Sequence, residues 1–135
     1  MNKQHKILML KVSFWVGAIV DLLAAIQLFL PQLWASMDGF TTYSPNTTLN
    51  FALYTAGTLM FGWTLLLVWA GRKPLERKEI LLLTVFPVVI GLVVNNAWAI
   101  GSGVRALSST VPELILQLTV ATLLIFSYLN VLKEN

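Results

Sequence analysis

Four apolar stretches of about twenty residues, at 10–30, 50–70, 80–100 and 112–132, leave this chain few ways to fold. As helices rising ~1.5 Å per residue, each is about 30 Å long, the thickness of a bilayer's hydrocarbon layer. The sequence is 57% hydrophobic and only 11% charged, with a mean hydropathy of +0.77. An ordinary soluble domain carries about 25% charged residues, so these 135 residues cannot dress a soluble surface. Each stretch is a continuous apolar run and lacks the ~10-residue alternation of a membrane-barrel strand, so helices are expected. The sequence therefore predicts an all-α integral membrane protein: one domain over 1–135, folded as a four-transmembrane-helix antiparallel bundle with short loops.

Turn chemistry agrees with this division. Pro31 follows the first span, Gly71 and Pro74 the second, and Gly101 and Gly103 the third, while Pro112 suits the first turn of the fourth, with Ser109 or Thr110 as its cap. Lys3, Lys6 and Lys11 resemble the basic start of a signal peptide. The apolar run behind them is about twice the usual length and has no small-residue cleavage site, so it reads as a retained helix. Eight of the nine Lys and Arg residues fall on the side shared by the two termini and the 71–79 connection, leaving only Arg105 opposite. By the positive-inside rule both termini are expected in the cytoplasm. The cationic middle connection would lie against anionic headgroups, and the expected location is the cell membrane, by default a prokaryotic plasma membrane. Trp34, Trp69 and Trp98 fall at span ends, where amphipathic rings anchor. The 31–49 segment, with Trp34, Met37, Phe40 and Tyr43 around the single acid Asp38, is expected to fold back as a lid or short interfacial helix, or else to serve as a flexible linker.

Composition removes several function classes. Without cysteine there are no disulfides, thiolate metal sites or cysteine nucleophiles, and the one histidine, His5, lies in the leader. No metal site, cofactor or nucleic acid is expected, and no phosphate loop, dinucleotide turn or Ser-His-acid set is present. These absences make an enzyme the weaker expectation.

What the spans do contain is a small set of polar residues. An ionisable group at mid-membrane is costly and marks function by default. Asp21 is about 16 Å into the first span, on a stripe with Ser13, Gly17 and Ala25. It either bonds a neighbour such as Tyr54, Thr58 or Thr122 to fix packing, or serves as a ligand anchor, acid/base group or proton carrier. In the third span Thr84, Pro87, Gly91 and Asn95 share one helical face that Trp98 continues, and in the fourth Glu113, Gln117 and Ala121 do the same with Tyr128 beyond them. Gln27, Asn95, Asn96 and Gln117 lie within about 10 Å of one boundary, with Glu113 and Asn50 at its rim. Facing one another, they would line a vestibule open to the outer side, with Asp21 at its floor. Trp63, too deep to be an anchor, either fills the core or lines the same pocket, and Thr58 with Gly62 forms a close-packing pair.

In span number and the placement of its termini the chain resembles several groups, among them DoxX-like membrane proteins, the sterol-isomerase/sigma-2-receptor superfamily and small multidrug transporters. Its embedded acid in the first span is similar to the buried carboxylate of the last group, normally a glutamate; the resemblance carries no residues across. The expected function is binding or transport of a small amphipathic or cationic molecule, with a homo-oligomer enclosing the path for transport. An accessory subunit of a membrane complex is the alternative, and a lipid or isoprenoid enzyme using Asp21 and Glu113 is a second.

Overall fold

The computed structural model of the protein describes residues 3–40, 43–44 and 46–132; among these the chain is helical, with no strand. The elements are α1 (Lys3–Leu28), a short α2 (Pro31–Met37), α3 (Thr47–Gly71), α4 (Glu79–Leu83) running through a π-helical stretch (Thr84–Val89) into α5 (Ile90–Gly101), and α6 (Leu107–Leu132). Four helical segments, Gln4–Leu28, Thr47–Gly71, Glu79–Gly101 and Leu107–Leu132, are long and apolar enough to cross a membrane. Their outward faces are apolar as lipid-facing surfaces must be: Leu23, Leu59, Phe86 and Ile115 are all more than half exposed.

The helix ends follow from local chemistry. Pro31 opens α2, where its missing N–H costs nothing. Asn46 caps α3, its side chain accepting from the Thr48 N–H at 2.8 Å and the Leu49 N–H at 3.4 Å. α2 and α5 close alike, each on a glycine with φ +72°. Past Gly39, the Phe40 N–H returns to the Ala35 carbonyl at 2.9 Å; past Gly103, the Val104 and Arg105 N–H groups return to the Ala99 carbonyl at 2.9 and 3.1 Å. A side chain at either glycine would strain this left-handed turn.

Two local expectations are corrected. α6 begins at Leu107, so Pro112 sits inside it and not at its first turn. Ser109 and Thr110 do not cap; their hydroxyls donate to the Ala106 carbonyl at 2.9 Å each. Second, Thr84 does not share a face with Pro87, Gly91, Asn95 and Trp98: Thr84 is buried and the other four are exposed. Pro87 has no N–H to continue the ladder, and the Ile90 N–H reaches back five residues to the Val85 carbonyl. This wide turn takes in an extra residue and passes the buried face to Val89, Asn96 and Ala99.

α1 is the central helix. Gly71 packs against Phe14, Gly17 against Leu67, and Gly57 against Leu28 and the Phe29 ring, a register that puts Asp21 level with Thr64. Ser13 and Ser127 meet hydroxyl to hydroxyl at 2.5 Å and join α1 to α6. The core gathers Leu10, Phe14 and Ala18 with Leu67, Leu81, Val85, Val120 and Leu124, toward the end where the chain's cations cluster. The opposite end is held by polar groups.

Candidate functional site

At that opposite end a clasp forms around Arg105, whose side chain is only 4% exposed. The Gly103 turn delivers Arg105 to the seam between α5 and α6, and the Gly39 turn brings Asp38 to meet it. The fit of the Gly39 turn is close enough that a Cβ there would collide with the Ser109 side chain. Nε of Arg105 donates to the Asp38 carbonyl at 2.8 Å, and Nη1 donates to Asn96 Oδ1 at 2.6 Å and to Glu113 Oε2 at 2.8 Å. The Asp38 carboxylate lies 3.9 Å from Nη2, and the Phe40 ring lies beside the guanidinium, its centroid 5.5 Å away.

Amides fill in the rest. Gln27 Nε2 donates to Asp38 Oδ1 at 2.8 Å, tying the end of α1 to the turn after α2. Gln117 Nε2 and Asn96 Nδ2 both donate to Glu113 Oε1, at 2.8 and 3.1 Å. Tyr43 donates to Asn50 Oδ1 at 2.9 Å, and Trp34 stacks on Phe40 at 4.6 Å between centroids. Burial pushes the Asp38 carboxyl above the usual aspartate range; the Arg105 guanidinium pulls it down, Glu113 adds to the rise, and hydrogen bonds from Gln27 and Trp34 oppose it.

Gln27, Asn96, Glu113 and Gln117 thus come together at one level, and they satisfy each other around a cation. Asp21 is separate. It is buried in α1 at 8% exposure, and its Oδ2 has no hydrogen-bond partner. The neighbours named for it bond elsewhere: Thr58 to the Tyr54 carbonyl and Thr122 to the Leu118 carbonyl, each at 2.8 Å within its own helix. Thr64, level with Asp21, is likewise turned to the Met60 carbonyl at 3.1 Å. Trp63 Nε1 donates to Thr84 Oγ1 at 3.2 Å, fastening α3 to the start of the π stretch. Tyr54, Thr58 and Asn95 face outward, Tyr54 stacking on Phe29 at 6.5 Å.

Arg105 and Asp38 are the site residues that residue-by-residue reasoning on the spans passed over. The signal available was Arg105 itself, eight residues before Glu113 and just past a glycine turn. Among the described residues no three His, Cys, Asp or Glu side chains converge as a metal site requires. Comparison with protein-family models, curated proteins and solved structures finds no match for the chain.

Proposed function

We propose that this chain is an antiparallel four-helix module of the cell membrane, with both termini in the cytoplasm, that binds or moves a small amphipathic cation. The observation that carries this reading is Asp21. It is a carboxylate buried within a span whose Oδ2 has no hydrogen-bond partner, whereas the buried cation Arg105 already holds two carboxylates of its own. A buried polar atom without a partner is unfavourable by about 1–3 kcal/mol, more for a charged group. A bound ammonium-type group would relieve that cost. In this reading the clasp of Gln27, Asn96, Glu113, Gln117 and Arg105 closes the outer approach to Asp21.

The test is thermal unfolding of detergent-purified protein with and without a panel of organic cations, for wild type and Asp21→Asn. A cation that raises the wild-type midpoint and leaves the variant unmoved supports the reading. If no cation moves the wild type, or if the variant responds equally, the reading fails.

A second reading, an accessory subunit of a membrane complex, is favoured by Asn95. Its amide is exposed on a membrane-spanning helix and has no hydrogen bond among the described residues. An amide in hydrocarbon gains from a partner helix. Purification that retains a second membrane protein with wild type and loses it with Asn95→Leu would favour that reading.

A further inference from the structure

The end of the molecule away from the clasp carries a second feature, independent of Asp21. Where the early turns of α1 meet the chain leaving α3, a groove of about 260 Å³ opens between Ile7 and Lys11 on one side and Arg72, Lys73, Leu75 and Glu76 on the other. Three cations and one carboxylate line it. Among the described residues the Lys11 and Arg72 side chains make no hydrogen bond or ion pair, and Lys73 has only an exposed pairing with Glu76 at 3.1 Å. The neighbouring Arg77 is engaged: Nη1 donates to the Trp69 carbonyl at 2.5 Å, and its guanidinium stacks 3.2 Å from the Trp69 ring centroid. Two cations with no partner among the described residues therefore line the groove beside a third that a competing anion can draw away from Glu76.

The surroundings decide what kind of anion fits. On α1, Leu8 beside the groove and Val12 and Trp15 farther toward the middle of the span face outward at 60%, 46% and 54% exposure, and Trp69 does the same on α3. A charged head in the groove would thus sit directly above apolar surface that acyl chains can cover. We infer that the groove is a binding site for the phosphate headgroup of an anionic phospholipid, held by Lys11, Arg72 and Lys73 with its chains lying along α1.

Native mass spectrometry of the full chain in non-ionic detergent, titrated with phosphatidylglycerol or phosphatidylcholine of the same chain length, tests this. Wild type should retain phosphatidylglycerol preferentially. Lys11→Gln with Arg72→Gln should weaken that lipid about tenfold or more at low salt, since each surface cation contributes a severalfold effect. Lys78→Gln, outside the groove, should leave the preference intact, and Glu76→Gln should strengthen it. Equal retention of the two lipids by wild type, a preference that survives in the helical double variant, or weaker binding in Glu76→Gln would each overturn the assignment. Displacement of phosphatidylglycerol by millimolar inorganic phosphate would do so as well, by making the site one for a soluble anion.

Discussion

Removing the Arg105 side chain should loosen one end of this protein and spare the other. Three hydrogen bonds from Arg105 reach Asp38, Asn96 and Glu113, and two carboxylates lose their cation. Taking one partner from a fully buried ion pair costs about 3–5 kcal/mol, mostly through the charge left behind. Here the orphaned acids are not fully buried, at 34% side-chain exposure for Glu113 and 20% for Asp38, so they regain part of their hydration. We therefore expect Arg105→Ala to cost about 2–4 kcal/mol, and Arg105→Lys less, since it keeps the charge but not the fork of donors. SDS titration of the protein in mixed micelles, followed by far-ultraviolet circular dichroism, measures the loss. Amide hydrogen exchange locates it: the Phe40 and Val104 N–H groups, which close the two glycine turns, should exchange much faster, while amides around Phe14 and Leu67 hold. A loss below about 1 kcal/mol, or one spread evenly over both ends, would refute the clasp as a unit.

Two further outcomes follow from named contacts. Because burial raises the Asp38 carboxyl, the folded protein holds that proton longer than the unfolded chain does. Its contribution is complete at low pH and declines as pH climbs from the ordinary aspartate value through the folded-state titration. Asp38→Asn should remove that decline from the unfolding midpoint measured between pH 4 and 7, and a variant whose midpoint still falls by the same amount would contradict the assignment. Gly57→Leu should cost about 1–3 kcal/mol by wedging α1 from α3, because a Cβ there already stands 3.3 Å from Leu28 Cβ and the Phe29 ring. Gly62→Leu, where a Cβ would meet nothing within 4 Å, is the matched control in the same SDS titration.

The spans were legible because length and hydropathy speak for themselves in a bilayer: four helices lie over the four apolar stretches, extended at the start by Lys3 and in α6 by Leu107. The level of the polar residues was legible too, since helical rise alone places Gln27, Asn96 and Gln117 at one depth. Which way each points was not. Asn95 and Asn96 are adjacent and chemically identical, and only the widened turn around Pro87 puts Asn96 at 5% exposure in the seam and Asn95 outside. The role of Arg105 was hidden for a related reason. As a charge count it is an exception to a topology rule; as a side chain it depends on two glycine turns, 64 positions apart in sequence, that bring Asp38 and Glu113 to it. Such an encounter is a tertiary fact with no local period.

The clasp also draws on parts of the chain made at different times. Gln27 and Asp38 belong to the first part of the chain to be made and can meet as soon as α2 forms, yet the cation that neutralises Asp38 lies 67 residues later and Glu113 later still. Until α6 stands beside α5, the guanidinium of Arg105 has no carboxylate from its own hairpin, and the Gly39 turn lacks the Ser109 side chain it fits against. Complete closure of this end therefore needs the fourth span, which brings Glu113. A chain cut short before its fourth span would keep Asp38 and lose Glu113, leaving Arg105 with one of its two carboxylates.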